Sequence, residues 1–137
     1  MKRLLIIGAG ILQFAVIKKA KERGFYTLVA DGDPNALGLA IADKPIVINI
    51  TDPQALLSIA QQERIDGVIH PCSEVAMYSM GTINDVMRLS GIGLETAIRA
   101  TNKERMRKAF EIANAPSPFS KGVKTEEDAL KIAHEIH

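Results

Sequence analysis

Residues 3–13 read RLLIIGAGILQ, and this segment determines the architecture expected for the chain. The aliphatic run from Arg3 to Ile7 does not alternate with polar residues, which is typical of a strand buried on both faces of a parallel sheet. Gly8 ends the run, and apolar residues then recur at helical spacing from Ile11 onwards. The segment therefore predicts a strand, a tight glycine turn and a helix.

The alternation of strand and helix continues to about residue 90. Asp52 followed by Pro53 has the pattern of an N-cap with proline at the first helical position, and Gly24 and Gly91 are typical helix stops. We predict further strands over residues 26–30, 45–50 and 67–69, and helices over residues 11–23, 53–63 and 75–89. This order predicts an α/β fold, a Rossmann-like open parallel sheet with helices on both faces.

After the third predicted helix the pattern changes, because no further pair of strand and helix follows. A short helix is expected over residues 94–100, and Thr101 with Glu104 has the spacing of a capping box that begins the next helix. A proline-rich segment, residues 115–118, ends that helix, and residues 125–136 have the pattern of a last amphipathic helix. These helices predict the start of a second structural unit.

The charge balance limits the classes of partner. Lys and Arg total 17 and Asp and Glu total 16 among 137 residues, so the formal net charge is +1. A nucleic-acid binder, or a protein that binds anionic membranes, is expected to carry an excess of basic residues. No apolar run reaches the roughly 18 residues that a membrane helix needs. We expect neither a nucleic-acid partner nor a membrane partner.

Cys72 is the only cysteine of the sequence. An internal disulfide is therefore impossible, and a zinc site cannot be built on paired thiolates. This cysteine content is typical of a reducing compartment, so we expect a cytoplasmic protein.

The turn Gly8-Ala9-Gly10 is the first candidate binding element. A glycine turn between a strand and a helix lets backbone amides approach an anion, as in nucleotide or carboxylate sites. Gln13, however, stands where a dinucleotide fingerprint has its third glycine. Asp31 lies where a ribose-binding acid is expected, although turn chemistry alone also accounts for Asp31. Both interpretations of Asp31 are open at this point.

A second set of candidates, His70, Cys72 and Glu74, follows the fourth predicted strand. Open α/β sheets bind ligands at the carboxyl ends of their strands. Nothing in the sequence supplies a third group that would orient a Cys–His nucleophile pair. Glu74 is either a substrate contact or an acid whose charge suits the start of the following helix.

Lys103 lies in the first turn of a predicted helix, where a cation opposes the helix dipole. A bound phosphate would compensate this arrangement. A solvated lysine with Glu104 beside it is the alternative, and the residues alone leave both explanations open.

Five pieces of the sequence, in their order and spacing, resemble the amino-terminal part of the ATP-grasp ligases. They are Leu5-Ile6-Ile7-Gly8-Ala9-Gly10-Ile11-Leu12-Gln13, Asp31-Gly32-Asp33-Pro34-Asn35-Ala36, Ala42-Asp43, Asp66-Gly67-Val68 and Thr101-Asn102-Lys103. The likeness covers essentially the whole chain and is greatest to carbamoyl-phosphate-synthase-large-subunit-like and related carboxylate–amine ligases. It implies a pre-ATP-grasp α/β domain over residues 1–99 and the incomplete start of an ATP-grasp small lobe over residues 100–137.

The resemblance also implies roles for individual residues. Lys103 is similar to the family lysine or arginine that contacts nucleotide phosphate. The residues implied to face the acid or amine substrate are Gly10, Ile11, Leu12, Asp31 and Glu74. No catalytic residue and no metal ligand is implied within this chain, because the second phosphate-binding lysine, the glycine-rich loop and the Glu and Asn magnesium ligands would lie beyond residue 137.

Enzymes of this family use ATP and magnesium to activate a carboxylate as an acyl phosphate, from which an amine then displaces phosphate. The implied partners are a small-molecule carboxylate, an amine and the missing ATP-grasp lobe. ATP and magnesium are expected for the full-length enzyme, and neither is expected to bind this chain tightly. The chain alone is expected to be inactive.

Two other interpretations compete with the ligase. A free-standing Rossmann-like dinucleotide-binding module is indicated by Gly8, Gly10 and Asp31 and opposed by Gln13. A non-enzymatic assembly subunit would form a homo-oligomer through the apolar face of the helix predicted over residues 125–136.

Overall fold

The computed structural model describes residues 1–135. The strands are β1 (Arg3–Ile7), β2 (Tyr26–Asp31), β3 (Lys44–Val47) and β4 (Gly67–Ile69). The α-helices are α1 (Ile11–Glu22), α2 (Pro53–Gln62), α3 (Met77–Met87), α4 (Leu94–Thr101), α5 (Lys103–Ile112) and α6 (Glu126–Glu135), and a 3₁₀ helix covers Leu37–Ile41. Residue 136, the last of the predicted final helix, lies outside the described residues.

The strands form one parallel sheet in the order β3-β2-β1-β4. In β1, Leu5 pairs with Leu28 of β2 on one side and with Val68 of β4 on the other. The chain therefore adds strands outward from β1 in one direction and then returns to its other side. Such a reversal creates a crevice at the carboxyl ends of the two strands involved, here β1 and β4.

Helices cover both faces of the sheet. Leu5 belongs to a buried cluster with Leu56 of α2 and Ile83 of α3, whereas the next residue, Ile6, belongs to a second cluster with Ile17 of α1. Successive side chains of a strand point to opposite faces, so the unbroken aliphatic run of β1 contributes to both cores. The predicted open parallel sheet with helices on both faces is confirmed.

β3 is shorter than the aliphatic run that predicted it. The strand ends at Val47 instead of at residue 50. Ile48 and Ile50 nevertheless pack against the cluster that contains Leu5. Their apolar side chains therefore contribute to the core although both residues lie beyond the strand.

The start of α5 also differs from the prediction. Thr101 is the last residue of α4, and the N-cap of α5 is Asn102, whose Oδ1 accepts a hydrogen bond from the Arg105 amide at 3.0 Å. The predicted capping box of Thr101 and Glu104 is therefore wrong. Asparagine is as effective at this position as threonine or better, because its short side-chain oxygen reaches the same free amides.

The chain divides into two compact units, one from Met1 to Ile98 and one that begins at Arg99. The first unit contains the sheet and both buried clusters. Between residues 99 and 135 every residue is at least partly exposed. Within residues 1–135 we find no helix with the length and apolarity that membrane crossing would demand.

Candidate functional site

The glycine turn lies at the carboxyl end of β1. Gly8 has a φ of +96°, in the left-handed region that favours glycine, and its amide donates to the Ala30 carbonyl of β2 at 2.7 Å. Gly10 is the N-cap of α1. The first two residues of that helix, Ile11 and Leu12, are 76% and 63% exposed, so they are accessible to a ligand and contribute little to the core.

Asp31 joins the end of β2 to this turn. Its Oδ2 accepts a hydrogen bond from the Ala9 amide at 2.6 Å, and its Oδ1 accepts one from the Asp33 amide at 2.9 Å. The Asp31 carboxylate thus supplies the negative charge that an anionic ligand would otherwise bring to the turn. This geometry favours the turn interpretation of Asp31, and its contact with a substrate stays a prediction.

Gln13 fills the space beside the glycine turn. Its side chain is buried, and its Nε2 donates to the Pro71 carbonyl at 2.8 Å. This bond connects α1 to the loop that follows β4. The sequence pattern marks Gln13 only as a departure from the dinucleotide fingerprint, and no local signal indicates a partner 58 residues away.

His70 anchors the same loop at the end of β4. The ring is buried, with Nδ1 2.8 Å from the Ile7 carbonyl oxygen, and Nε2 accepts from the Ala76 amide at 3.1 Å. These partners require a neutral ring with its proton on Nδ1. Because both ring nitrogens bind backbone groups, His70 is not placed to activate Cys72, which is exposed.

Glu74 is exposed and lies ahead of α3, which begins at Met77 and not at residue 75 as predicted. Ahead of the helix, Cys72 has a φ of +65° and the Ala76 amide donates to His70 Nε2. The first turn of α3 contains no acidic residue, so Glu74 lies before the helix and not within its first turn. Its contact with a substrate stays a prediction.

In the first unit the structure brings together three of the predicted pieces. The Gly10–Leu12 turn, Asp31 and the loop of residues 70–74 follow β1, β2 and β4, which are adjacent in the sheet. Ala9, just before the first piece, is bonded to Asp31, and Gln13, just after it, is bonded to Pro71 of the loop. The result is a continuous rim beside the crevice between β1 and β4.

Lys103, the remaining predicted site residue, is the first residue of α5 in the second unit. A concavity of about 820 Å³ lies between α5 and the segment that follows it. Arg107 Nη1 donates to Ser117 Oγ at 2.7 Å and ties the two walls together. The charged lining residues are the basic Lys103, Arg107, Lys108 and Lys121 and the acidic Glu104 and Glu111. This excess of basic side chains suits an anionic ligand.

Two carboxylates with lowered pKa values lie near the opposite, amino-terminal ends of the strands. The Lys21 ammonium and the Thr27 amide bind Asp43 and lower its pKa to about 2. Lys44, with help from Arg3, lowers the pKa of Glu63. Both groups belong to networks that hold strand starts together, and neither lies in the rim described above.

The similarity to known proteins extends over almost the whole chain. No protein-family model matches it. A formate-dependent phosphoribosylglycinamide formyltransferase from Burkholderia mallei is 29% identical over 134 residues, which cover 96% of this chain and 33% of the relative. The fold matches that of phosphoribosylglycinamide synthetase from Anaerococcus prevotii with a TM-score of 0.81 and 31% identity, over 98% of this chain and 34% of that one.

The chain matches the amino-terminal region of an ATP-grasp ligase. A third relative, an N5-carboxyaminoimidazole ribonucleotide synthetase solved as its ADP complex, agrees with a TM-score of 0.79 and 25% identity over 98% of this chain. The chain spans about a third of the length of the curated relatives it matches. The predicted resemblance to ATP-grasp ligases is confirmed, and the narrower likeness to carbamoyl phosphate synthase stays a prediction.

Proposed function

We propose that the chain is the pre-ATP-grasp domain, residues 1–99, and the start of the small lobe, residues 100–137, of an ATP-dependent ligase. The enzyme would activate a small carboxylate as an acyl phosphate and let an amine displace the phosphate, as in carbamoyl-phosphate-synthase-like enzymes. The observation that carries this proposal is the match of 98% of the chain to a synthetase at a TM-score of 0.81 and 31% identity.

The proposed substrate contacts lie on the rim of the first unit. They are Gly10, Ile11, Leu12, Asp31 and Glu74. Two observations support them: Ile11 and Leu12 are exposed where a ligand in the β1–β4 crevice would meet them, and Glu74 is exposed in the loop tied to the same turn. Asp31 would act through the turn that it holds in shape.

The proposed nucleotide contact is Lys103 in the second unit. The basic lining of its concavity fits the phosphates of ATP, and a relative of similar fold has been solved with ADP. When bound, ATP would supply the phosphoryl group that converts the carboxylate into a better acyl donor. Lys103 would bind and orient a phosphate by charge-assisted hydrogen bonds.

The described residues do not fit a magnesium site by themselves. Among residues 1–135 no group of three or more His, Cys, Asp or Glu side chains is arranged to hold a metal ion. We therefore assign no step of the reaction to magnesium on this chain. Because phosphoryl transfer depends on charge compensation and positioning, we propose that the chain alone has no turnover.

Titration of the purified chain with ADP, followed by calorimetry, tests the nucleotide proposal. We expect weak, saturable binding that Lys103→Ala weakens by about tenfold or more, as loss of a charge-assisted bond implies. Lys18→Ala, which removes an exposed lysine of the first unit, is the matched control and should leave the affinity unchanged. Binding that is insensitive to Lys103→Ala, or no binding at all, would contradict the assignment.

A phosphate-release assay with ATP, magnesium and mixed carboxylates and amines tests the proposed lack of turnover. We expect no release above the buffer rate. Turnover that persists through stringent purification and is lost in Lys103→Ala would show that the chain is a complete catalyst.

A further inference from the structure

We propose that Gln13 is a positioning residue: its side chain occupies a niche left open by the glycine turn and fastens the loop of residues 70–74 to that turn. The niche, the bond and the loop are all observed in the first unit. The consequence for substrate binding rests on the proposed function, whereas the tether itself does not.

The niche exists because two residues beside it have no side chain. A β-carbon at Gly10 would lie 3.1 Å from Gln13 Oε1, and one at Gly8 would lie 3.3 Å from Gln13 Cδ. Gly10 has a φ of −68°, which any residue can adopt, so its backbone conformation does not require glycine. A β-carbon at this position would instead require the Gln13 side chain to shift by a few tenths of an ångström.

From this niche Gln13 reaches the loop that follows β4. Its Nε2 donates to the Pro71 carbonyl at 2.8 Å, and only 8% of the residue is exposed. Because solvent reaches this site poorly, water cannot replace the bond. If the bond were lost, the Gln13 side-chain amide would stay buried without a partner, which is costly. The bond therefore holds the start of the loop against α1.

His70 completes the attachment from the other end. Its ring accepts from the Ala76 amide at 3.1 Å and lies 2.8 Å from the Ile7 carbonyl, so the loop is closed on itself and joined to β1. Between these anchors the backbone passes through Cys72 at a φ of +65°. A cysteine in that region is strained, and the surrounding bonds must outweigh the strain.

The consequence is a preorganised rim. The Gly10–Leu12 turn and Glu74, which we propose as substrate contacts on the two sides of the β1–β4 crevice, are held in one arrangement before a ligand arrives. A substrate then binds without the cost of ordering the loop.

Hydrogen exchange of the Ala76 amide, which is buried and donates to His70 Nε2, tests the tether. In Gln13→Met, which keeps the side-chain length and removes the donor, we expect this amide to exchange about tenfold faster, as loss of one buried bond implies. Gln62→Met, on the exposed surface of α2, is the matched control and should change nothing. Gln13→Leu, which removes the donor without burying a charge, serves the same purpose if Gln13→Met does not fold.

A double-mutant cycle separates the tether from a general loss of stability. Gly10→Ala should speed exchange of the Ala76 amide by crowding Gln13, and in Gly10→Ala with Gln13→Met this exchange should be no faster than in Gln13→Met alone. Unchanged exchange of the Ala76 amide in Gln13→Met, additive effects, or an equal acceleration in β1 and β2 would overturn the proposal. We expect Gln13→Met to bind ADP with the same affinity as the natural sequence. The ADP titration therefore tests the nucleotide proposal independently of the tether.

Discussion

The backbone amide of Ala9 donates a hydrogen bond to Oδ2 of Asp31 at 2.6 Å, so a carboxylate at the end of β2 holds the turn at the end of β1. Ala9 is fully buried, and its amide would lose its partner in Asp31→Ala. We expect that variant to lower the free energy of unfolding by about 1–3 kcal/mol, measured by urea denaturation. Asp31→Asn keeps an oxygen acceptor and should lose less. Equal stabilities of Asp31→Ala and the natural sequence would show that the bond contributes nothing.

The same bond predicts that the chain does not bind a dinucleotide at the glycine turn. Both oxygens of Asp31 already accept backbone amides, and Gln13 fills the place of the third fingerprint glycine. In a fluorescence titration with NADH we expect no saturable binding. Tight binding that Asp31→Asn abolishes would instead identify a free-standing dinucleotide-binding module.

The aliphatic runs predicted all four strands because a strand buried on both faces has few polar residues. The same signal overextended β3, since Ile48 and Ile50 pack in the core from beyond the end of the strand. The rim residues could be placed from their positions after β1, β2 and β4. The bonds that organise the rim could not, because Ala9 and Asp31 are 22 residues apart and Gln13 and Pro71 are 58 apart. Such pairs depend on tertiary placement, which local patterns do not encode.

Asp43 predicts a loss of stability in acid. Hydrogen bonds from Lys21 and from the buried Thr27 lower its pKa to about 2, against about 3.9 in an unfolded chain. A lowered pKa stabilises the folded state above the unfolded value, and this contribution disappears as the pH falls from about 4 to about 2. Asp43→Asn should therefore cost about 1–3 kcal/mol at pH 7 and progressively less below pH 4.

Urea denaturation of both proteins at several pH values measures this difference. Glu22→Gln breaks an exposed ion pair with Lys19 and is the control, with an expected change of at most about 0.5 kcal/mol. A cost of Asp43→Asn that stays constant from pH 7 to pH 2 would contradict the assignment.

The second unit should be the first part of the chain to yield to a protease. No residue from 99 to 135 is buried, whereas the first unit has two buried clusters. Segments with few buried apolar contacts open at low free-energy cost. In limited trypsin digestion followed by mass spectrometry, we expect cleavage after Lys121 or Lys124, between α5 and α6, before any cleavage between residues 18 and 88. Earlier cleavage within the sheet unit would contradict this order.

Exposed apolar side chains of the second unit predict self-association of the isolated chain. Leu130 of α6 is 56% exposed, and Ile112 and Phe119 are exposed as well. Burial of such groups against a second copy is favourable by roughly 25 cal/mol per Å² of apolar surface. We expect the weight-average mass in sedimentation equilibrium to rise with concentration and to fall in Leu130→Asp. Ser120→Asp adds the same charge without removing an apolar group and should leave the mass unchanged. A chain that stays monomeric at every concentration would show that these side chains do not join two copies.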